Sequence, residues 1–376
     1  MLFLLFLAVF LFQFLCWIVL LGPANRGGPE LRLDPAPAAN PPVSVIVCFR
    51  NEEKNLGKCI DGILRQQYPG EFELVLVDDN STDNSASLVH PYTFRDPRVR
   101  LLDPGETRPG KKDALAHGIE NARYDRLLLT DADCVPASSH WLWMMTEPLG
   151  RGEELVLGVS PVYPRSGFDF LREWQRFETF YVALKYFGFA RRGYPYMGVG
   201  RNLAYTREFY RRAGGFTGHA DLASGDDDLL VAGATEVKAE RMPYAPTWAY
   251  TRAQVSWEDY FRQRRRHQST GVRYPRGLAA FLTVLGISHG LFYLLGFFLL
   301  FTEEWFGALL VYVARILFVV PAYWRFYAED KALRQQLSGP GAVPALGLRV
   351  AVFDACVGPM YLYLAVAGLV GSERWK

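Results

Sequence analysis

Long apolar runs stand near both ends of the chain, and a more polar segment separates them. Residues 2–21 are apolar except for Gln13, and a run of that length can cross a bilayer core of roughly 30 Å. Three further runs lie at about residues 278–301, 305–324 and 346–370. The pattern predicts one N-terminal and about three C-terminal transmembrane helices.

The first apolar run is expected to remain as an anchor, residues 1–22, rather than to be cleaved. A signal peptide has a basic start and a shorter apolar core, whereas no charge precedes this run. Arg26 and Arg32 follow it, and residues 261–277 hold six arginines before the second run. Because positive loops stay in the cytosol, we expect a multi-pass protein, in a bacterial inner membrane, whose central segment is cytosolic.

The central segment, residues 42–276, follows a Pro- and Ala-rich linker at 23–41 and precedes the C-terminal membrane region, 277–376. Short apolar runs typical of strands occur at 43–48, 72–77, 99–102, 126–130 and 154–160. Stretches of helical length lie between some of them, at 53–67 and 111–122. Apolar strands that alternate with helices predict an α/β domain with a mostly parallel sheet covered on both faces.

Acidic clusters follow the predicted strands, where a parallel sheet binds its ligands. They are Asp78-Asp79, Asp131-Ala132-Asp133 and, further on, Asp226-Asp227-Asp228. Carboxylates packed together repel one another unless a cation lies among them, and their hard oxygens suit Mg²⁺ or Mn²⁺ with a bound phosphate. The alternative for any single cluster is turn chemistry, because Asp, Asn and Ser favour turns and helix N-caps.

Composition narrows the classes of function. The chain has 41 basic and 39 acidic residues in 376, a net charge of +2, which excludes a strongly basic nucleic-acid arm and leaves no nucleic-acid partner expected. Its mean hydropathy of +0.01 averages apolar segments with an ordinary polar domain. Five scattered cysteines contain no C-x-x-C pair, so neither a disulfide framework nor a zinc site is expected.

Five motifs in order resemble those of the family 2 glycosyltransferases, which have a GT-A fold. They are VSVIVCFRNEEKNL (43–56), LVLVDDNSTDNS (74–85), LLLTDADCVP (127–136), SGDDDLL (224–230) and QRRRH (263–267). A single D-x-D is common and weak, but the ordered set is specific. The resemblance implies an inverting, metal-dependent, hexosyltransferase-type enzyme with a nucleotide-sugar donor.

The resemblance also assigns site residues. Those implied to bind the donor nucleotide are Cys48, Arg50, Asn51, Glu52, Asp78, Asp79, Lys111, Asp131 and Arg266. The D-x-D residues Asp131 and Asp133 are implied to hold Mg²⁺ or Mn²⁺, with Asp133 as the direct ligand. Asp227 is implied to be the general base, although Asp replaces the family's usual Glu at 226, which leaves Asp226 as the other candidate. Lys111 has an alternative as an exposed lysine at a helix end.

The last motif departs from the family. Members that build long polymers carry Gln-x-x-Arg-Trp, and this chain ends the motif with His267, which has no indole on which an acceptor sugar could stack. The segment is also explained as a topogenic basic cluster. Gln263 and His267 remain candidates for contact with the acceptor or the donor sugar. Gly200, Arg201 and Asn202 are further candidates, and an ordinary β-hairpin is the alternative for their segment.

Two features lie outside the motifs. Residues 165–193 are predicted to form an aromatic and basic amphipathic helix that suits either the bilayer interface or packing on the core of its own domain or on the terminal helices. Arg315 and Asp354 lie within apolar runs, where a lone charge is costly, so they are predicted to face each other near His289. A structural pair is the favoured role, and binding of a lipid phosphate by Arg315 is the alternative.

The sequence therefore predicts a membrane-bound inverting glycosyltransferase that acts on a lipid or lipid-linked acceptor at the cytosolic face of the membrane. A processive polysaccharide synthase is one alternative. A non-catalytic, nucleotide-binding membrane protein is the other.

Overall fold

The computed structural model describes residues 1–20, 40–163, 169–234, 236–268, 270–338 and 346–370. Most of the predicted linker at 23–41 lies outside the described residues. Contacts divide the chain into two compact units. We call residues 1–26, 166–188 and 255–373 the helical unit, and residues 27–165, 189–254 and 374–376 the α/β unit.

The α/β unit contains a sheet of seven strands and a separate pair. The strands are β1 Val43–Phe49, β2 Phe72–Asp78, β3 Val99–Leu102, β4 Arg126–Leu129, β5 Val135–Pro136, β6 Leu155–Leu157, β7 Leu203–Thr206, β8 Ala239–Arg241 and β9 Ala249–Tyr250. The sheet has the order β3-β2-β1-β4-β7-β6-β8, and β5 pairs with β9. Because β1 to β4 pair in parallel and β7 alone runs against its neighbours β4 and β6, the prediction of a mostly parallel sheet is confirmed.

The register of β7 shapes one edge of the sheet. In the antiparallel pair, Leu203 at the start of β7 lies opposite Leu129 at the end of β4. Residues just before β7 therefore emerge at the same edge as residues just after β4. The residues of β7 do not stand out as a strand in the sequence, because four residues with glycines before them carry little strand signal.

Helices of the α/β unit are α2 Leu56–Leu64, α3 Ser85–Arg95, α4 Lys112–Asn121, α5 Trp141–Gly150, α7 Arg207–Arg212 and α8 Asp228–Ala232. The one at 111–122 was predicted to within one residue at each end. The helix predicted at 53–67 is shorter and extends from Leu56 to Leu64. Before it, the backbone N–H groups of Glu52 and Glu53 donate to Ser85 Oγ and Asp83 Oδ2. Apolar side chains of β1, β2 and α2 form the core of the unit.

The helical unit contains α1 Leu2–Leu15, α9 Trp257–Gln268, α10 Arg276–Leu299, α11 Trp305–Ser338, α12 Leu346–Val370 and all but the last three residues of α6 Phe170–Arg191. Within the described residues, two segments are long and apolar enough to cross a membrane, Arg276–Leu299 and Trp305–Trp324. The apolar helix at Leu2–Ile18 is shorter. The number of membrane spans therefore remains a prediction.

The aromatic face of α6 is buried inside the helical unit. Trp174 and Phe177 are both 0% exposed. The Trp174 indole N–H donates to Tyr260 Oη at 2.7 Å, and the Phe177 ring stacks on Tyr323 with centroids 4.9 Å apart. Of the two interpretations of this helix, packing on the terminal helices is confirmed, because these side chains have no surface left for a bilayer interface.

A buried polar network joins the apolar helices. Arg315 Nε donates to Asp354 Oδ2 at 2.7 Å, and both residues are 0% exposed. His289 lies between them, with Nε2 2.8 Å from the Asp354 carbonyl oxygen and Nδ1 3.2 Å from Arg315 Nη2. The predicted pair near His289 is confirmed.

The network also reaches α1 through Gln13. This side chain is 0% exposed. In the sequence it is only a polar interruption of an apolar run. Its amide nitrogen donates to Ser288 Oγ and, at 3.1 Å, to the Leu285 carbonyl oxygen. Its carbonyl oxygen accepts from Arg315 at 3.4 Å. Polar contacts thus link α1, α10, α11 and α12.

We expect Asp354→Asn to destabilise the full-length chain by about 3–5 kcal/mol, because it leaves the guanidinium of Arg315 buried without its counter-ion. Arg315→Met should cost a similar amount, and Arg315→Met with Asp354→Leu together should cost less than the sum. Thermal unfolding of the solubilised chain is the measurement. Glu304→Gln, on an exposed residue, is the matched control, and additive effects of the two substitutions at the pair would contradict the coupling.

Candidate functional site

Two loops at the carboxyl ends of β1 and β2 interlock. Asn51, with a φ of 56°, accepts hydrogen bonds from the backbone N–H groups of Thr82 at 2.7 Å and Asp83 at 3.3 Å. Its own N–H donates to Ser81 Oγ at 3.1 Å. Asparagine tolerates the left-handed conformation that this loop needs. The predicted donor residue Asn51 therefore also holds the two loops in place.

The two aspartates after β2 have different surroundings. Asp78 Oδ1 accepts from the N–H of Ser81 at 2.9 Å, which is the turn chemistry that the sequence left open. Asp79 is 2% exposed and accepts from Thr107 Oγ1 at 2.6 Å. Its N–H donates to the Phe49 carbonyl oxygen at 2.8 Å. The buried carboxylate of Asp79 is thus positioned by β1 and by a threonine that no sequence signal indicated.

An acidic centre lies at the same edge of the sheet, formed by Asp131, Asp226 and Asp227 around Lys111. Lys111 Nζ lies 2.9 Å from Asp131 Oδ1 and 2.9 Å from Asp226 Oδ2. Asp227 Oδ2 accepts from the backbone N–H of Gly200 at 2.7 Å. Residues that the resemblance implied in separate motifs are therefore brought together, and Lys111 is not the exposed helix-end lysine of the alternative interpretation.

Gly200 permits this close approach. A Cβ atom at this position would lie 3.2 Å from both Asp226 Oδ2 and Lys111 Nζ, and 3.4 Å from Asp227 Oδ2. The register of β7 against β4 brings Gly200 to this edge. Its neighbour is also tied there, since Thr130 Oγ1 donates to the Arg201 carbonyl oxygen at 2.9 Å.

Asp227 differs from its two acidic neighbours in exposure. Asp226 and Asp228 are buried, whereas Asp227 is partly exposed. Burial of its carboxyl group, and then the like charges of Asp226 and Asp228, raise the pKa of Asp227 to about 7, although Lys111 and the Gly200 N–H act in the opposite direction. A carboxylate with a pKa near the working pH is suited to general-base catalysis. This favours Asp227 over Asp226 as the base.

Asp133, the second acid of the D-x-D motif, lies next to β9. Thr251 Oγ1 donates to its Oδ2 at 3.1 Å, and the Cys134 thiol donates to its Oδ1 at 3.4 Å. Burial and the charge of Asp131 raise the pKa of Asp133, and the charge of Arg201 lowers it. Arg201 is thus close enough to the D-x-D motif for its charge to act on Asp133.

The other predicted residues at the end of β1 line the same region. Cys48 borders a small cavity together with Lys111, Thr130, Asp131 and Gly200. Burial raises the pKa of its thiol, so Cys48 stays protonated at neutral pH. Glu52 accepts from Asn55 Nδ2 at 2.6 Å, and burial raises the pKa of Glu52 as well. Arg50, partly exposed, follows β1 directly.

These residues suit a divalent ion that arrives with a phosphate ligand. In the described part of the chain, no group of three or more His, Cys, Asp or Glu side chains is arranged to hold a metal by itself. Mg²⁺ commonly takes only one or two carboxylates and completes its shell with water and substrate phosphates. Asp131 and Asp133 supply such a pair, and the charge excess of the acidic centre would favour a cation there.

Asn202 is part of the interior of the α/β unit. Its side chain is 0% exposed. Its Oδ1 accepts from the Trp141 indole N–H at 2.9 Å, and its Nδ2 donates to the carbonyl oxygens of Val159 and Thr247, both at 2.8 Å. With these partners the side chain supports the loop before β7 and does not face a sugar.

The last motif belongs to α9 in the helical unit. There Arg264, which the sequence analysis did not assign, pairs with buried Glu178 at 2.6 Å. Gln263 and Arg266 are partly exposed, and His267 is exposed. Their contacts with a donor or an acceptor remain a prediction.

The sequence of the chain is similar to those of known glycosyltransferases. Residues 44–213 match the model of Glycosyl transferase family 2. Over 128 residues the chain is 30% identical to the glycosyltransferase GlyG of Streptococcus pneumoniae, a match that covers 34% of this chain and 42% of that protein. Over 132 residues it is 31% identical to the glycosyltransferase AglE of Haloferax volcanii, again 34% of this chain and 42% of that protein. The matches thus span less than half of either relative.

A solved structure shares the fold. The mannosyltransferase PcManGT from Pyrobaculum calidifontis, solved in complex with GDP-Man and Mn²⁺, has a TM-score of 0.57 and 22% sequence identity, and the likeness covers 99% of this chain and 100% of that one. The fold is a GT-A-like α/β fold with a mostly parallel sheet. The match over residues 44–213 supports the assignment of this domain to family 2 of the glycosyltransferases.

We expect Asn202→Ala to destabilise the chain by about 3 kcal/mol, because it leaves buried groups of Trp141, Val159 and Thr247 without their partners. Thermal unfolding of the full-length chain is the measurement. Asn121→Ala, on an exposed residue at the end of α4, is the control. An unchanged midpoint for Asn202→Ala, together with weaker donor binding, would instead indicate a ligand contact.

Proposed function

We propose that this protein transfers a sugar from a nucleotide-sugar donor to a lipid or lipid-linked acceptor, with inversion at the anomeric carbon, at the cytosolic face of a membrane. The observation that carries the proposal is the acidic centre. Within a family 2 domain, it combines Asp131 of the D-x-D motif, a carboxyl group with a pKa of about 7 and a lysine at one edge of the sheet.

The donor would bind along the carboxyl ends of β1, β2 and β4. Asp79, held by Thr107, is suited to accept a hydrogen bond from the base or ribose of the nucleotide. The interlocked loop at Asn51 shapes the neighbouring wall. Asp131 and Asp133 would hold Mg²⁺ or Mn²⁺, which neutralises charge on a departing nucleoside diphosphate.

The transfer itself needs a base and a direct displacement. Asp227 accepts the proton of the acceptor hydroxyl as that oxygen attacks the anomeric carbon. The bond from this carbon to the donor diphosphate breaks on the opposite face, so the configuration inverts. The ammonium group of Lys111 is close enough to the D-x-D motif to offset negative charge on the diphosphate.

The candidate membrane spans are the argument for a lipid-borne acceptor. In the part of the chain that the structure describes, two segments have the length and composition of membrane spans. Arginines precede the first of them, as is typical of a cytosolic loop. An acceptor embedded in the same membrane would be confined near the enzyme. The number of spans and the side on which the domain lies belong to this proposal.

The first test is donor turnover. Full-length protein in detergent or nanodiscs is incubated with Mn²⁺ and UDP-glucose, UDP-N-acetylglucosamine or GDP-mannose, and release of nucleoside diphosphate is measured. One donor should be consumed, and Asp133→Asn should reduce the rate at least about 100-fold, since it removes a charge that holds the metal. Asp61→Asn, on α2, is the matched control.

Adding a membrane lipid extract should increase turnover and yield a lipid with one added sugar. Products with many added sugars would favour the processive alternative. A lack of turnover with every donor, despite binding of a nucleoside diphosphate, would favour the non-catalytic alternative.

The second test concerns the base. Because only the ionised carboxylate of Asp227 can take a proton, kcat/KM should rise with pH through a midpoint near 7. Asp228→Asn removes a like charge, which lowers the pKa of Asp227 and moves this limb to lower pH. Asp227→Asn should reduce kcat by about 10²- to 10⁴-fold. A limb that stays in place in Asp228→Asn would assign the titration to another group.

A further inference from the structure

Lys111 lies inside the acidic centre, where it contacts carboxylates from two different motifs. Its Nζ lies 2.9 Å from Asp131 Oδ1 and 2.9 Å from Asp226 Oδ2. The side chains are 23%, 33% and 9% exposed, respectively. The ammonium group thus joins the D-x-D motif to the base loop.

The carboxylates need such a cation. Asp226 and Asp227 are neighbours in the chain, and the backbone N–H of Gly200 gives Asp227 only a partial positive charge. Negative charges gathered at a partly buried site repel one another unless a positive charge lies among them. In the donor-free protein, Lys111 supplies that charge.

The backbone that carries Lys111 is anchored on both sides. Gly110, with a φ of 106°, packs so closely on Ala223 that a Cβ atom would lie 2.7 Å from the Ala223 carbonyl oxygen. Lys112 Nζ donates to the carbonyl oxygens of His219, at 2.5 Å, and Leu222, at 3.1 Å. The start of α4 is therefore tied to the loop that leads to Asp226. The flexible four-carbon stem of Lys111 is free to change partner while its base stays fixed.

A divalent ion and the ammonium group compete for Asp131. Both are attracted to its carboxylate, and two cations on one carboxylate repel each other. A diphosphate that enters with the metal gives Lys111 a new anionic partner. The geometry points to an exchange, in which Lys111 is the resident counter-cation of the acidic centre. It gives up Asp131 to the metal, either at saturating metal concentration or, at much lower concentration, when a diphosphate arrives with the metal and becomes the new partner of the ammonium group. This inference rests on the proposed function and predicts that the two ligands bind cooperatively.

Mn²⁺ binding provides the test, with electron paramagnetic resonance as the readout and no turnover required. In the wild-type chain, Mn²⁺ alone should bind weakly, and excess UDP or GDP should tighten its binding at least about 10-fold. In Lys111→Met, Mn²⁺ alone should bind about 10-fold more tightly than in the wild type, and the effect of the nucleotide should fall below about 3-fold. Lys58→Met, on the exposed face of α2, removes the same charge and should match the wild type.

Equal Mn²⁺ affinities in Lys111→Met and the wild type without nucleotide would overturn the exchange, even if the protein transfers sugar. The predicted pattern in a protein without transferase activity would support the exchange and count against the proposed function.

A second measurement uses the unmodified chain, so it does not depend on a variant that folds. Amine acylation of Lys111, followed by mass spectrometry, should be slow in the absence of ligands, faster with saturating Mn²⁺ alone and slow again with Mn²⁺ and nucleoside diphosphate. Lys58 is the internal control. If saturating Mn²⁺ leaves the rate at Lys111 unchanged, Lys111 does not leave Asp131 and the proposal fails.

Discussion

Repulsion among carboxylates is the constraint on which the arrangement at this edge of the sheet depends. Asp131, Asp226 and Asp227 approach one another because Lys111 lies between the first two and because the Gly200 N–H donates to the third. The compensation is incomplete at Asp227, whose pKa remains near 7. The same shortage of positive charge that attracts a cation thus gives one carboxyl group the proton affinity of a general base.

The antiparallel strand β7 makes this convergence possible. In a fully parallel sheet, each strand sends only the residues after it to the ligand-binding edge. Because β7 runs against β4, it sends the residues before it to that edge, and Gly200 arrives beside Asp131 and Asp227. Asn202, two residues later, points into the core and holds the loop through Trp141, Val159 and Thr247. One short segment thus serves both the site and the stability of the unit that carries it.

The helical unit also contains buried charges, and here too they are stabilised by pairing. Its apolar helices enclose Arg315 and Asp354, which are tolerated because they pair and because His289, Gln13 and Tyr293 form further hydrogen bonds with them. A network of this kind favours one register among helices whose apolar surfaces would otherwise pack in several ways. The helix α6 joins the unit through aromatic rings, with Trp174 and Phe177 fully enclosed.

By itself the sequence determined what depends on neighbours along the chain. Apolar runs bounded by turn residues predicted the strands β1 to β4 nearly to the residue, since burial on both faces of a sheet leaves a continuous local signal. The order of the acidic motifs predicted the family and indicated the acidic residues that the fold brings to one edge of the sheet, and two lone charges in apolar runs predicted their own pairing. Only the tertiary structure decided the contacts between distant residues. Lys111 meets Asp226 although 115 positions separate them. Gly200 contacts the acidic centre and Asn202 lies in the core, because the register of β7 against β4 fixes the position of both residues. That register is a long-range pairing with a weak local signal, so the sequence alone does not reveal it.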